Sequence, residues 1–340
     1  MRPCTLTPCA GQCAMNRWSA TGTLCALVLA LGIAPDGAVA QGYPTRPVRI
    51  IAPYSAGAGP AVFTHVVAEK LSKAWGQPVV VDARPGASGF IAMETVKKAA
   101  PDGYDLLVVS NAHVAINPSL YKKLPYDAEK DFVPVAMLYR TPFFLIASSS
   151  GPYQTVAALI AAAKAKPDTV SYGSSYVGSP SHLGSAEFEF LTGTRMIHVP
   201  YRDQTQMYSA IANGDVGWAF STLGSALPLV QGGRIKLVAI AAKQRLKSLP
   251  DVPTLVEAGG PDMVVDSWLA VMAPRGTPPQ VVEKINAEIN RALAEPDVID
   301  KLRSCGFEAA PGTPQQLGDF IATEAKRFAG LVRRTGATAD

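Results

Sequence analysis

The chain has 340 residues, 48% of them hydrophobic and 17% charged, and its 31 basic residues against 27 acidic ones leave a formal charge of +4. So long a chain exceeds one comfortable core and predicts two domains. The charge excess is small, and Lys and Arg are scattered in runs no longer than two, which is too little to imply nucleic acid as a partner.

The first forty residues resemble a secretory signal peptide. A basic start, Arg17 or Arg2, precedes the apolar run Thr23 to Ala34, and Ala38-Val39-Ala40 follows as a small-residue cleavage site. Met15-Asn16-Arg17 offers an alternative start. The apolar run is shorter than the roughly 20 residues a spanning helix needs, so residues 1–40 are expected to direct export to the periplasm and to be cleaved near Ala40. Four of the five cysteines, Cys4, Cys9, Cys13 and Cys25, fall in that segment, and none has lipid-anchor context. Cys305 alone cannot form an internal disulfide and is expected to be a buried structural thiol.

In chain order, Val48 to Ala52 is predicted as a buried strand, followed by the loop Pro53 to Gly59 and a helix whose apolar stripe is Val62, Phe63, Val66, Val67, Leu71 and Ala74. Pro78 to Asp82 is a second strand, Ala83 to Gly89 a second loop, Phe90 to Ala100 a second helix and Leu106 to Ser110 a third strand. Strand, Gly-rich loop, helix, repeated, predicts an α/β fold with mostly parallel sheets flanked by helices. Phe143 to Ala147 is expected to cross to a second α/β lobe. There helix Val156 to Ala165, strand Val170 to Tyr172 and helix Ser181 to Thr192 precede strands at Ile197 to Pro200, Val216 to Phe220 and Lys236 to Ala241. The chain is expected to cross back near Trp268 to Ala273, and helices at Pro279 to Ala294, from Asp297, and at Pro314 to Thr335 then cover the first lobe. The expected division is lobe one at 41–145 and 272–340 and lobe two at 146–271.

In an open parallel sheet, ligands sit beyond the carboxyl ends of the strands, where loop amides and helix N-termini face an anion. Two loops fit: Ser55-Ala56-Gly57-Ala58-Gly59 and Pro85-Gly86-Ala87-Ser88-Gly89, both of minimal side chains. In the second lobe, Ser174 to His182 places hydroxyls at another strand-to-helix turn, where Ser179 or Ser181 also suits an N-cap. Gly57-Ala58-Gly59 with Asp82 half-matches a dinucleotide fingerprint, but Val62 stands at the third glycine, so no cofactor is expected. The region after residue 40 holds no Gly-x-Ser-x-Gly elbow, and His65, His113, His182 and His198 form no i, i+4 pair. Neither a catalytic nor a metal site is therefore expected.

A run of motifs then carries a resemblance. Arg46-Pro47-Val48-Arg49-Ile50-Ile51, Arg84-Pro85-Gly86-Ala87, Ala100-Pro101-Asp102-Gly103-Tyr104, Asn117-Pro118-Ser119-Leu120-Tyr121, His198-Val199-Pro200-Tyr201, Leu249-Pro250-Asp251-Val252-Pro253-Thr254 and Glu257-Ala258-Gly259 follow in order. With these the chain resembles the Bug-type receptors of the tripartite tricarboxylate transporters. The resemblance implies a two-lobed Venus-flytrap fold that closes on a small carboxylate and delivers it to a membrane transporter, with no catalysis and a monomeric receptor. It also implies that main-chain groups and bridging waters of the lobe-one loops grip one carboxylate while lobe two holds the distal end. Carried over by position, the expected ligand-binding residues are Ser55, Ala56, Ala58, Gly86, Ser88 and Gly89 from lobe one, and Ser174, Ser179, His182, Tyr201, Phe220 and Thr222 from lobe two. A ligand sensor on the same fold and a hydrolase using Ser175 or Ser179 are the alternatives.

Three departures alter the expectation of specificity. Where the family has an acid and, four residues on, an arginine in the first helix, this chain has Ala61 and His65. Arg202 is followed by Asp203 in place of glycine, and Phe220-Ser221-Thr222 replaces Phe-Asp-Asn. A specificity unlike simple dicarboxylates is therefore expected, with Asp203 as a further ligand-binding residue. If Asp203 lines the site, a ligand carrying a cationic or amide nitrogen binds better than a plain dicarboxylate, and Asp203→Gly reverses the order in titration calorimetry. An unchanged ranking removes Asp203 from the account.

Overall fold

The protein is described here by a computed structural model covering residues 42–55, 59–201 and 204–339. The expected signal segment, together with Ala56, Ala58 and Asp203, lies outside these residues.

Val48–Ala52 (β1) buries Val48, Ile50, Ile51 and Ala52, side chains from both faces, as an interior parallel strand must. It pairs in parallel with Val79–Ala83 (β2) and Asp105–Ser110 (β3). Gly59–Trp75 (α1) buries Phe63, Val67 and Leu71, one per turn, against this sheet. Phe90–Lys97 (α2) covers the other face with Ala92, Met93 and Val96. A π-helical turn at Ala112–Ile116 and the short helix Asn117–Leu120 (α3) follow β3.

Phe132–Ser148 (β4) then runs through both lobes. Only its second part was expected as strand, because Pro134 and Pro142 interrupt the pattern. The register shifts near Pro134 and Met137 are the bulges that absorb such a break. In lobe two, Val156–Ala165 (α4), Ser171–Ser174 (β5), Pro180–Thr192 (α5), Ile197–Pro200 (β6), Gln204–Asn213 (α6), Trp218–Thr222 (β7), Leu223–Gln231 (α7) and Ile235–Ile240 (β8) follow. Asp266–Pro274 (β9) returns beside β4, after which Pro279–Leu293 (α8), Pro296–Ser304 (α9), Glu308–Ala309 (β10) and Pro314–Thr335 (α10) complete lobe one. Helices α6 and α7 were not anticipated. Helix α6 is polar apart from Met207, Tyr208 and Ile211, and α7 contains Pro228, a residue that normally argues against a helix.

The strand order is β2-β1-β3-β9-β4-β7-β5-β6, with β8 and β10 also paired to β4. The outer strands are parallel as expected. The pairs β3–β9, β4–β9, β4–β7 and β4–β8 are antiparallel, because a strand that crosses between lobes must be matched by one that returns. Each lobe buries one apolar cluster on either face of its sheet. Cys305 is only partly buried, which corrects the expectation of a core thiol.

The lobes also meet through α5 and α10. Leu183 of α5 joins a lobe-one cluster, and Arg327 of α10 donates to Glu187 of α5 at 2.8 Å and to the Val264 carbonyl at 2.7 Å. Glu324, 3.4 Å from Arg327, is held above its usual pKa chiefly by burial. Arg327→Met leaves two poorly solvated carboxylates without their cation. It is expected to cost about 3 kcal/mol in urea unfolding at unchanged m-value, and a loss below about 1 kcal/mol would show the contact to be peripheral.

Candidate ligand cleft

Helices α1 and α2 begin at the turns after β1 and β2 of lobe one, and α5 and α7 at the turns after β5 and β7 of lobe two, while the segments after β3 and β5 meet across the lobes. None of α1, α2, α5 and α7, which begin at these turns, carries an acid in its first turn. Their positive dipole ends are left uncompensated. The lobes touch here: a Cβ on Gly178 would lie 2.5 Å from Leu120, and one on Gly224 would lie 3.1 Å from the Cys305 carbonyl.

The lobe-one loop at 86–89 is strained. Gly86, Ala87, Ser88 and Gly89 have φ of 110°, 45°, 52° and 87°, and the two non-glycine residues each cost about 1–3 kcal/mol in that region. Gly89 cannot be replaced, since its Cβ would sit 2.4 Å from the His113 ring. Several bonds hold the loop. Ser88 and Tyr121 share a hydroxyl contact of 2.6 Å, and Asn117 Nδ2 donates to the Ser88 carbonyl at 3.3 Å. His113 Nδ1 accepts from the Ser110 amide at 3.0 Å, and burial pushes its pKa down to about 4. Tyr54 meets this ring edge-on, at 5.8 Å between centroids. Its hydroxyl is buried without a partner in hydrogen-bonding geometry, and burial holds the phenol well above its ordinary pKa, an effect that nearby Ser110 only partly offsets. Arg84, at the head of the loop, is turned to Asp82 and Thr95.

In lobe two the predicted residues separate by role. Ser174 is fully buried, 2.7 Å from His198 Nε2 and donating to the Tyr176 carbonyl at 3.2 Å. Ser179 caps α5 by accepting from the His182 amide at 3.2 Å, and His182 Nδ1 accepts from the Gly178 amide at 3.0 Å. The His182 and His198 rings stack at 3.9 Å. Burial, then the neighbouring His198, pushes the His182 pKa down to about 4, and burial also lowers that of His198. These hydroxyls and this imidazole hold the turn in shape. Phe220 is 1% exposed, and its ring packs against Trp218 and Phe188 in the lobe core, away from the cleft.

Ser55, Gly86 and Ser88 are exposed, and Tyr201 and Thr222 half-buried, with Thr222 Oγ1 donating to Ser225 at 3.0 Å. Sequence reasoning missed the phenols. Tyr176 from lobe two is 50% exposed, yet it is surrounded closely enough that burial, with Tyr121 second, raises its pKa. Its charge would be felt by Tyr54 and Tyr121 of lobe one, so the three phenols share one neighbourhood. Tyr121 lies in a motif already noted, but only the turn at 112–120 aims it at Ser88. Among the described residues no group of His, Cys, Asp and Glu fits a metal ion.

A family model described as the tripartite tricarboxylate transporter family receptor matches residues 63–337. BugT of Bordetella pertussis is 36% identical over 299 residues, covering 88% of this chain and 92% of BugT. A Rhodopseudomonas palustris protein solved with adipate has a TM-score of 0.76 at 33% identity, over 87% of this chain and 99% of that one. MatC of the same organism, solved with bound malate, has a TM-score of 0.71 at 29% identity, over 85% of this chain and all of that one.

The buried imidazoles fix a pH dependence. His113 and His182 ionise near pH 4 when folded and near 6.5 when unfolded. Between these values the unfolded chain binds protons that the folded chain does not. Their contribution is complete above about pH 6.5 and is lost as pH falls toward about 4, by at most on the order of 3 kcal/mol per ring. Urea unfolding at pH 7 and 4.5 is expected to show a smaller acid loss in His113→Asn and His182→Asn than in the parent. Equal losses would contradict the neutral assignment.

Proposed function

This chain belongs to the tripartite tricarboxylate transporter receptor family, and on that premise we propose that it captures a small carboxylate between its lobes and hands it to a membrane transporter of that type. The supporting observation is that α1 and α2 of lobe one and α5 and α7 of lobe two, all following βα turns, start without an acid in their first turn. Such ends stabilise an anion without a counter-cation. The structurally similar proteins solved with adipate and malate make a carboxylate the natural occupant. On this reading Ser55, Ala56, Ala58, Gly86, Ser88 and Gly89 present one carboxylate site, with Tyr54 added to them. Tyr201 and Thr222, with Asp203 assigned from sequence alone, serve the distal end, while Ser174, Ser179 and His182 act by bracing the turn. The protein works in the periplasm as a monomer after loss of residues 1–40, with lobe one at 41–145 and 272–340 and lobe two at 146–271. Binding stabilises the closed state, and no turnover occurs.

A thermal-shift screen of mono-, di- and tricarboxylates, adipate and malate included, is expected to give saturable stabilisation by at least one acid that is recovered unchanged. Tyr54→Phe removes a buried hydroxyl that has no partner in hydrogen-bonding geometry, with Ser110 the nearest group that could supply one. It is expected to leave the unliganded melting temperature the same or higher and to weaken that acid about fivefold, the size of one neutral hydrogen bond. Loss of stability with unchanged affinity would take Tyr54 out of the site, and no stabilisation by any acid would sink the reading.

A further inference from the structure

A second cavity, of about 840 Å³, lies where the chain crosses between the lobes and shares no residue with the cleft loops. One wall is the segment after β8, residues 242–248, and the other is the end of α9 and β10, with Arg140 and Pro142 of β4 between them. Its size falls within the roughly 300–1,000 Å³ of small-molecule sites. Its lining carries five cations, Arg140, Lys243, Arg245, Lys247 and Arg303, against two acids, Asp266 and Glu308.

How these charges are already engaged decides what they can hold. Arg140 is neutralised by Asp266, which is only 6% exposed. Lys243 and Arg245 pair with Asp262 and Glu257, but both partnerships are exposed, and such pairs contribute little and exchange readily. Arg303 is 3.7 Å from Asp300 with both side chains more than 70% exposed, and Lys247 has no ion pair among the described residues. Four cations from two lobes can thus turn inward around one space. Each alone is well solvated and binds a single charge weakly, so only a solute that engages several at once gains appreciably.

We propose that this cavity is a second binding site, for a small polyanion carrying three or more negative charges clustered on phosphate or carboxylate groups. Glu308 faces the same space and repels an anion, so a monoanion gains little there, whereas a compact polyanion that meets several cations outweighs it. The site depends on nothing in the cleft, so a failed carboxylate screen leaves it standing.

Titration calorimetry of the whole chain with inorganic pyrophosphate, and separately with citrate, in low-salt buffer distinguishes the two sources of charge. At least one is expected to bind with a stoichiometry of one at the hinge and to weaken tenfold or more in Lys247→Ala/Arg303→Ala, whose side chains are exposed and whose melting temperature should match the parent. The same loss is expected in the parent on raising salt to 0.5 M. No saturable binding of either anion, or equal affinity of parent and variant for pyrophosphate, would overturn the proposal. Citrate binding that survives the double substitution, with pyrophosphate unbound, would likewise overturn it.

Discussion

Both lobes hang on one uninterrupted strand. Strand β4 pairs with β9 along Phe132 to Pro142 and with β7 and β8 along Phe143 to Ser148, so the two sheets share a backbone and are not merely tethered by loops. A shared strand fixes the distance and facing of the two sets of βα turns while leaving twist about the crossing as the soft coordinate. At the crossing, the Phe143 amide donates to the Val265 carbonyl, and Pro142 stands opposite Asp266 with no amide to donate. Hinge closure around a solute requires small changes at a few such positions and no repacking of either core. The α5–α10 contact through Arg327 and Glu187 adds a polar link across the same coordinate. Polar links re-form in a new register more readily than interdigitated apolar ones do, which suits a surface that must shift.

Strain and bracing explain why the turns are built as they are. Four successive residues of positive φ at 86–89 do not hold themselves, and Asn117, Tyr121 and the His113 ring supply what holds them. Lobe two repeats the device with different atoms: His182 fixes the Gly178 amide, Ser179 caps the helix, and His198 closes over both. In each lobe a buried imidazole accepts a backbone N–H through Nδ1, a role open only to the neutral ring. Preorganised in this way, the loop amides lose little further entropy when a solute arrives.

Much of the scaffold was legible in the sequence, because it rests on periodicity. Strand β1, helix α4 and strand β6 fall where their patterns put them, and α1 buries the expected Phe63, Val67 and Leu71. The failures have physical causes. The first half of β4 was hidden by prolines that its bulges tolerate, and α6 and α7 are held by tertiary packing of a few side chains such as Met207 and Ala226. At the cleft, residue type alone could not tell a contact from a brace: Ser174 bonds His198 and the Tyr176 carbonyl, and His182 Nδ1 holds the Gly178 amide, roles that no sequence pattern reports. The proximity of Tyr176 to Tyr54 and Tyr121 was invisible because it arises between residues more than 50 positions apart, a separation that no local pattern reports.

Position 61 shows how a sequence departure becomes chemistry. An acid there would sit in the first turn of α1 and satisfy the dipole from within. This chain places Ala61 there, 1% exposed and packed into the lobe, with His65 turned to solvent one helical turn on. The end of α1 therefore keeps its positive potential for whatever occupies the cleft, as do α2, α5 and α7. A carboxylate leaving water for this space loses strong hydration, and fixed amides and helix ends can replace it only if they are already oriented and not already neutralised. Both conditions are met in these helices by omission of an acid from their first turns.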